Sequence, residues 1–249
     1  MTPASDHDDA ARYAAEAGTL LLELRGKADG DDWSRWSLGD AADVLANRRL
    51  LELLHDEHPD DAVLSEESAD DPRRTDAARV WIVDPLDGTR EFTELGRTDW
   101  AVHVALWARG QGLVAGAVAL PAQDRVLATG SPPVVPEPDG RPARVVVSRT
   151  RPPAAARRVA DALGAELVGM GSAGAKAMAV VDGTVDAYVH AGGQYEWDSA
   201  APTAVAAAAG LHVSRLDGSS LEYNRRDPWL PDLVVCRPEL ASAVLGAVA

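Results

Sequence analysis

The chain has 249 residues, of which 25% are charged, and its formal net charge is -15 at pH 7. This length allows one large domain or two compact halves, and either arrangement buries a sizeable apolar core. The negative charge argues against DNA or RNA polymers as partners, because their binding depends on lysine and arginine contacts to phosphates. The same charge would repel a small phosphate ester, so a site for such an ester requires metal cations.

Cys236 is the only cysteine, which excludes an internal disulfide, and the histidines do not have the spacing of a zinc site. The first nine residues are polar and acidic, unlike an export signal. The alanine-rich stretch 199–213 is too short to span a bilayer. We therefore expect a cytoplasmic protein without a membrane partner.

The N-terminal part is predicted to contain two helices. The first ends near Gly26 and has an apolar stripe at helical spacing formed by Tyr13, Ala14, Ala17, Leu20, Leu21 and Leu24. The second is capped by Asp40 or Asp43 and stops at His58-Pro59, and residues 27–39 before it form a loop. Its buried stripe is predicted to consist of Val44, Leu45, Leu51 and Leu54.

Short β-rich runs follow and predict an antiparallel sheet. They cover residues 62–64, 80–83, 100–107, 113–120 and 125–129. The sequence Arg109-Gly110-Gln111-Gly112 predicts a hairpin between the third and fourth runs. Because the first two runs lead directly into acidic residues, we expect carboxylates at the ends of strands.

Five prolines between Gly130 and Pro142 argue against a strand or helix there, so this stretch is predicted to connect two halves. The first half, residues 1–130, is predicted to be α+β, and the second half, residues 143–249, to be α/β. In the second half, predicted strands at 144–148, 167–168 and 185–189 alternate with predicted helices at 153–163, 172–180 and 199–209.

The most informative segment is Asp84-Pro85-Leu86-Asp87-Gly88-Thr89, which directly follows an apolar strand. Two carboxylates and the Leu86 carbonyl in one turn provide the hard oxygen ligands that Mg²⁺ prefers. The N–H groups of Gly88 and Thr89 would bind a phosphate if a helix begins there. A plain turn that stops the strand is the alternative. It leaves unexplained a second acidic pair, Glu66-Glu67, at another strand end.

Two further interpretations remain open for these aspartates. Phosphatases of the haloacid-dehalogenase type place two aspartates two positions apart after a strand. Asp84 and Asp87 are three positions apart, which favours metal ligands over a nucleophile and its acid. Asp198, in Glu196-Trp197-Asp198-Ser199, precedes the alanine-rich helix and taken alone is better explained as its cap.

Together the three acidic segments resemble the inositol monophosphatase superfamily of lithium-sensitive, Mg²⁺-dependent phosphatases. Arg90-Glu91-Phe92, Gly171-Ser172 and Lys176 resemble its CysQ-type 3'(2'),5'-bisphosphate nucleotidase branch, whereas inositol monophosphatases usually continue with Thr-Asn-Phe. The resemblance extends from about Ala11 to about Pro238. It implies an α+β fold, a layered αβαβα sandwich like those of inositol monophosphatase and fructose-1,6-bisphosphatase, with the site in the cleft between the halves.

The resemblance also implies a site for two Mg²⁺ ions. The implied ligands of the first ion are Glu66, Asp84 and the Leu86 carbonyl, and those of the second are Asp84, Asp87 and Asp198. Glu67 would support Glu66 or bind a third ion. Ions bound in this way polarise phosphoryl oxygens and make water more acidic.

The implied catalytic residues are Thr89, Asp43 and Glu66. Thr89, paired with Asp43, would orient or deprotonate the attacking water. A carboxylate such as Asp43 in the first turn of a helix is equally explained by the helix dipole. The implied substrate contacts are Asp87, Gly88, Thr89, Ser172, Lys176 and Asp198.

Two segments depart from inositol-specific relatives. The loop Asp31-Asp32-Trp33-Ser34-Arg35-Trp36 stands where many relatives have a lysine, and Trp33 or Trp36 would either stack on a base or pack in the core. Ala191-Gly192-Gly193-Gln194 stands where an acidic residue contacts inositol hydroxyls. Glycines there would admit a larger group such as adenosine, or form a plain turn.

We therefore expect hydrolysis of 3'-phosphoadenosine 5'-phosphate to AMP and phosphate, a reaction of sulfate assimilation. The nearest alternative is an inositol-1-phosphate or fructose-1,6-bisphosphate phosphatase, including one with dual specificity. An alternative of another class is a non-catalytic sensor of a phosphorylated nucleotide, against which the intact acidic set argues. The expected partner is a small phosphorylated metabolite, and the resemblance implies a homodimer.

Overall fold

A computed structural model of the chain describes residues 5–28 and 34–248. Its helices are α1 (Asp6–Ala28), α2 (Arg35–Glu57), α3 (Thr89–Thr93), α4 (Ala154–Leu163), α5 (Ala173–Val181), α6 (Glu196–Ala208) and α7 (Ala241–Gly246). Its strands are β1 (Ala62–Ser65), β2 (Arg79–Asp87), β3 (Ala101–Ala108), β4 (Gly112–Leu120), β5 (Arg125–Ala128), β6 (Arg144–Ser148), β7 (Glu166–Met170), β8 (Ala187–Tyr195), β9 (His212–Ser214) and β10 (Trp229–Cys236). None of these described helices combines the length and apolar character needed to cross a bilayer.

Helix α2 begins earlier than the sequence predicted. Ser34 is its N-cap, and the hydroxyl of Ser34 accepts a hydrogen bond of 3.1 Å from the backbone N–H of Ser37. The predicted caps at Asp40 and Asp43 are therefore wrong, because both residues lie inside the helix. Residues 35–39 of the predicted loop therefore lie in the helix.

The buried face of α2 also differs from the predicted stripe. Val44 is 66% exposed, and Leu45 and Leu51 are only half-buried. Small residues form much of the real contact face, which consists of Leu38, Gly39, Ala42, Ala46, Leu50, Leu53 and Leu54. A pattern based on large apolar residues misses a helix that packs closely through glycine and alanine.

The first sheet has the strand order β1-β2-β3-β4-β5. The predicted β3–β4 hairpin is present, and β2 to β5 pair antiparallel as predicted. The prediction is wrong for β1, which pairs parallel with β2, with Ser65 opposite Val83. Parallel pairing brings the carboxyl ends of both strands to one edge of the sheet. Glu66 follows Ser65 and Asp84 follows Val83, so Glu66 and Asp84 lie at the same edge.

The second sheet has the order β7-β6-β8-β10-β9. The predicted strands and helices of this half are present, but β9, β10 and α7 were not predicted. Strand β10 contains Pro231, a residue that cannot donate to a sheet ladder. The structure accommodates it at an irregularity in the pairing with β8 between Leu230 and Asp232.

Alternation along the strands divides the core into three clusters. Trp81 and Val83 face α1 and α2, whereas Val80 and Ile82 face the opposite side. The middle cluster contains residues from both sheets and from α5 and α6. The third cluster packs α4 and α7 against the far face of the second sheet. This is the predicted α+β sandwich with layers in the order αβαβα.

Residues 130–142 contain neither a helix nor an extended strand, as the prolines predicted. Each sheet lies within one of the two predicted halves. Helices α5 and α6, however, come from the second half and pack against both sheets. The division into halves 1–130 and 143–249 as separate units stays a prediction.

Candidate active site

Acidic side chains that are remote in the sequence converge at the carboxyl edge of the first sheet. Asp84 and Asp87 lie on β2, and Asp198 lies in the first turn of α6. One carboxylate oxygen from each of these three residues lies within 4.8 Å of the others. Glu66 follows β1 and is close enough to raise the pKa of Asp84 by repulsion. Asp84, Asp87 and Asp198 are thus brought together, and Glu66 lies near Asp84.

Three carboxyl groups of this cluster, those of Asp84, Asp198 and Glu66, have raised pKa values because they are buried and lie near other carboxylates. Burial, followed by repulsion from Glu66 and Asp87, raises the pKa of Asp84 well above its ordinary value. Burial and the charge of Asp87 raise the pKa of Asp198 to about 6. Desolvation and the charge of Asp198 raise the pKa of Glu66 to about 7, although Glu66 is exposed as a residue.

A divalent cation fits this donor set. Carboxylate oxygens are the ligands that Mg²⁺ prefers, and a cation would relieve their mutual repulsion. The Oδ2 atom of Asp84 is buried and has no hydrogen-bond partner among the described residues. The other oxygen, Oδ1, accepts a hydrogen bond of 3.1 Å from the backbone N–H of Leu86. Asp84, Asp87 and Asp198 are therefore a set that could bind a metal.

The turn after β2 supplies the next part of the site. Gly88 has φ +90°, in the left-handed region, and is the N-cap of the short helix α3. A Cβ atom at Gly88 would lie 3.2 Å from the Cβ of Ser172, so the close approach of the two segments also favours glycine. The hydroxyl of Thr89 lies 3.3 Å from the carbonyl oxygen of Leu86.

Asp43 on α2 faces this turn. Its Oδ1 lies 3.4 Å from the hydroxyl of Thr89, so the predicted pair is adjacent in the structure. Burial and then repulsion from Glu67 raise the pKa of Asp43 to about 7, partly opposed by the hydrogen bond from Thr89. The catalytic role of the pair stays a prediction.

Asp87 is held through one of its two oxygens. Its Oδ2 accepts hydrogen bonds from the hydroxyl of Ser172 at 2.5 Å and from the backbone N–H of Gly174 at 2.7 Å. The Nε2 atom of His103 lies 3.2 Å from the same oxygen. Burial opposes the ionisation of Asp87, but attraction to His103 outweighs it, so the pKa of Asp87 lies well below its ordinary value.

His103 is a site residue that the sequence did not reveal. It is fully buried, and its Nδ1 lies 3.0 Å from the carbonyl oxygen of Trp197. Its Nε2 forms an ion contact with Asp87 that does not have the geometry of a hydrogen bond. Burial lowers the pKa of His103, and the charge of Asp87 reverses this to a net increase. The register of β2 and β3, which pairs Asp84 with His103, is the feature that would have indicated it.

Asp198 is the third residue of α6 and not the predicted N-cap, which is Tyr195, and its role as a metal ligand stays a prediction. Its Oδ2 accepts a hydrogen bond of 2.6 Å from the backbone N–H of Tyr195, as the third helical residue of a capping box does. The same carboxylate also belongs to the acidic cluster. The helix cap therefore orients a candidate metal ligand.

The implied substrate contact Lys176 and the cationic residue Arg215 both have protein partners. The ammonium of Lys176 is buried and donates to the carbonyl oxygens of Gly171 and Ser172. Arg215 forms a bidentate ion pair with Asp232, in which Nε and Nη2 donate to Oδ1 and Oδ2 at 2.7 and 2.9 Å. The contact of Lys176 with substrate stays a prediction.

The aromatic loop is only partly described. Asp31, Asp32 and Trp33 lie outside the described residues. Trp36 is 84% exposed, so the alternative that it packs in the core is wrong. It borders a cavity of about 520 Å³ that is also lined by Thr89.

The glycines before Asp198 have left-handed backbones, with φ +112° at Gly192 and +93° at Gly193. A Cβ atom on Gly193 would lie 2.5 Å from the indole nitrogen of Trp229, so packing explains this glycine without a ligand. Gln194 is buried, and neither atom of its amide has a hydrogen-bond partner among the described residues.

Comparison with known proteins decides the family. Residues 8–248 match the model of the inositol monophosphatase family. The chain belongs to the inositol monophosphatase family. The predicted resemblance is therefore confirmed.

Relatives within the family are similar over nearly the whole chain. A Mycobacterium leprae (strain TN) protein named 3'-phosphoadenosine 5'-phosphate phosphatase is 56% identical over 257 aligned residues, covering 96% of this chain and 92% of the relative. A protein of the same name from Mycobacterium bovis (strain ATCC BAA-935 / AF2122/97) is 54% identical, covering 94% and 90%. The crystal structure of CysQ from Bacteroides thetaiotaomicron is 27% identical with a TM-score of 0.80, covering 95% of this chain and 98% of that one.

Proposed function

We propose that this inositol monophosphatase family protein is a Mg²⁺-dependent phosphatase that hydrolyses 3'-phosphoadenosine 5'-phosphate to AMP and phosphate. The observation that carries the proposal is the convergence of Asp84, Asp87 and Asp198 to within 4.8 Å. The names of the two mycobacterial relatives support the choice of substrate. The intact acidic cluster is not needed by a non-catalytic sensor, so it favours an enzyme.

Two Mg²⁺ ions are proposed to bind in this cluster. The proposed ligands of the first are Glu66, Asp84 and the Leu86 carbonyl, and those of the second are Asp84, Asp87 and Asp198. The raised pKa values of Asp84, Glu66 and Asp198 support this, because burial and then mutual repulsion disfavour their charged forms, and bound cations would stabilise those forms. A third ion beside Glu67 is a weaker extension of the same proposal.

Bound Mg²⁺ would supply positive charge to the phosphoryl group and acidify water in the site. The protein's own groups would position the substrate. Gly88 and Thr89 begin α3, and the first N–H groups of a helix have no partner within it, so they would bind phosphoryl oxygens. The hydroxyl of Ser172 lies 2.5 Å from Oδ2 of Asp87 and would border the same phosphoryl group.

The pair of Thr89 and Asp43 would handle the proton. If the Thr89 hydroxyl donates its hydrogen to Asp43, its lone pairs are available to accept a proton from the attacking water. The pKa of Asp43, about 7, allows its carboxylate to take up the Thr89 hydroxyl hydrogen near neutral pH while the Thr89 oxygen accepts the proton of the water. Attack would then be in line with the phosphorus–oxygen bond that breaks, without a phosphorylated enzyme, and the 3'-oxygen of the departing AMP would take a proton from solvent.

A comparison of substrates tests this function. Purified protein with Mg²⁺ should have a higher kcat/KM for 3'-phosphoadenosine 5'-phosphate than for inositol 1-phosphate or fructose 1,6-bisphosphate. A higher value for either sugar phosphate would make the nucleotidase assignment wrong and leave the metal-dependent phosphatase intact. Binding of the nucleotide without phosphate release at any Mg²⁺ concentration would instead support the sensor.

A cytoplasmic location and a homodimer are further proposals. Cys236 is buried and unpaired, which suits a reducing compartment. The homodimer is proposed because it is the usual oligomeric state in the family. Sedimentation of the purified protein would test it.

A further inference from the structure

The turn formed by Gly171 and Ser172 is held by buried charges on both sides. The carboxylate of Asp99 accepts a hydrogen bond of 2.6 Å from the backbone N–H of Gly171. From the other side, the ammonium of Lys176 donates to the carbonyl oxygens of Gly171 and Ser172, at 2.6 and 2.7 Å. The charged groups of two side chains thus fix the path of two backbone residues.

Lys176 occupies a position that is unfavourable for a cation. It lies in the first turn of α5, where the helix dipole favours negative charge. It is only 6% exposed, and burial of an ammonium carries a large desolvation cost. The residue that it holds, Ser172, has φ +31°, a left-handed conformation that is uncommon for a residue with a side chain. A position with these costs calls for a compensating function.

The composition of the chain points the same way. Of its 24 lysine and arginine residues, only Lys27 and Lys176 are lysines. Lys27 is exposed at the end of α1. A compact ammonium can donate to two neighbouring carbonyl oxygens, whereas the planar guanidinium of arginine is larger and fits forked acceptors. At position 176 the compact ammonium donates to two neighbouring carbonyl oxygens, in a chain whose basic residues are otherwise almost all arginine.

The turn connects Lys176 to a candidate metal ligand. The hydroxyl of Ser172 and the N–H of Gly174, both from the start of α5, donate to Oδ2 of Asp87. The turn also has little room to move, because a Cβ on Gly171 would lie 2.2 Å from the carboxyl carbon of Glu91. The position of Asp87 therefore depends on the position of the turn.

We propose that Lys176 is a positioning residue whose ammonium fixes the Gly171–Ser172 turn and thereby holds the Asp87 carboxylate for cation binding. The inference rests on the proposed function in so far as Asp87 is taken as a metal ligand. It assigns Lys176 a structural link to the cation instead of the direct substrate contact that the resemblance implied.

The test uses three substitutions of Lys176 and one control. Lys176→Met removes both hydrogen bonds, Lys176→Arg keeps the charge with a different shape, and Lys176→Gln keeps a donor. Groups that support a metal ligand typically contribute about 10- to 100-fold to metal affinity or activity. We expect Lys176→Met and Lys176→Arg to lose this much in Mn²⁺ affinity and in kcat, and Lys176→Gln to lose less. Lys27→Met, on the exposed lysine, should match the wild type.

Mn²⁺ affinity is measured by titration calorimetry without substrate, and thermal unfolding in EDTA identifies any variant that does not fold. Unchanged Mn²⁺ affinity in folded Lys176→Met would overturn the proposal. A rise in KM with kcat unchanged would also overturn it and indicate a substrate contact. Recovery of full affinity by Lys176→Arg would show that charge alone matters, which contradicts the positioning role.

A double-mutant cycle with Ser172→Ala provides an independent measurement. Because both residues act through Oδ2 of Asp87, the loss in Mn²⁺ affinity of the double variant should be smaller than the combined losses of the single variants. Additive losses would contradict the proposed connection. The two proposals can fail separately. If the wild type does not hydrolyse 3'-phosphoadenosine 5'-phosphate but the Lys176 variants lose Mn²⁺ affinity as expected, the proposed substrate is wrong and the role of Lys176 is supported.

Discussion

Asp87 and His103 form a buried ion contact, with Nε2 of the imidazole 3.2 Å from Oδ2 of the carboxylate. The other ring nitrogen of His103 lies 3.0 Å from the carbonyl oxygen of Trp197, the residue before Asp198. The side chain of His103 on β3 thus contacts the end of β2, which carries Asp87, and the first turn of α6, which carries Asp198. His103 therefore couples the position of Asp87 to the start of α6.

Substitution of His103 should destabilise the metal-free protein. His103→Leu leaves the buried Asp87 without its nearest positive charge, and breaking a buried ion pair in this way typically costs about 3–5 kcal/mol. Urea unfolding in EDTA measures the change, with His55→Leu, an exposed position on α2, as the control. A loss below about 1 kcal/mol, the scale of an exposed pair, would show that the contact contributes little.

The acidic cluster should make the stability of the metal-free protein depend on pH. In the folded chain the pKa of Asp198 is about 6 and that of Glu66 about 7, above the value of about 4 for unfolded carboxyls. The folded state therefore binds more protons, so the free energy of unfolding should fall as the pH rises from about 4 to about 7. Asp87, whose pKa is lowered, titrates below this window.

Mg²⁺ should reverse this loss, because a bound cation replaces the protons and stabilises the folded state by mass action. Thermal unfolding in EDTA and in excess Mg²⁺ across this pH range measures the effect. We expect Mg²⁺ to raise Tm most near neutral pH and least in acid. An equal shift at every pH would show that the cation binds away from the cluster.

The Asp43 and Thr89 pair should control the pH dependence of turnover. If Asp43 accepts a proton during the reaction, kcat should rise as the pH increases through its pKa, which is about 7 in the structure. Asp43→Asn should lower kcat and remove this rise. Thr89→Ser should retain most of the activity, because it keeps the hydroxyl, whereas Thr89→Val should not. An unchanged pH profile in Asp43→Asn would assign the carboxylate to helix stability instead.

Removal of a candidate metal ligand should abolish turnover. Substitution of a residue that only supports a metal ligand lowers activity by up to about 100-fold. Asp87→Asn removes a candidate ligand itself, so we expect a larger loss of kcat. Asp60→Asn, at an exposed aspartate after α2, is the matched control. An active Asp87→Asn protein would reject the mechanism, whatever the substrate.

The contiguous part of the site was predictable from the sequence because strand, turn and carboxylates adjoin in Asp84 to Thr89. The family resemblance added Asp198, which local chemistry alone explained as a cap. The parallel pairing of β1 with β2, which places Glu66 beside Asp84, depends on a crossover with no local pattern. The sequence therefore indicated the ligands but not the strand arrangement that joins them.

Other features depend on tertiary contacts that no local pattern encodes. His103 is one of the six histidines, and only the register of β2 with β3 distinguishes it. The start of α2 was misplaced because a serine cap within an aromatic loop is less conspicuous than two later aspartates. The hydrogen bonds of Lys176 were also not predictable, since its partners are backbone carbonyl oxygens.

The most direct measurement of the central claim is anomalous scattering from crystals soaked with Mn²⁺ and AMP. We expect peaks bound by carboxylate oxygens of Asp84, Asp87 and Asp198, at about the 2.0–2.6 Å typical of hard cations. We also expect the nucleotide to lie beside the start of α3. Peaks that lie elsewhere, with these three carboxylates contacting only protein and water, would contradict the claim.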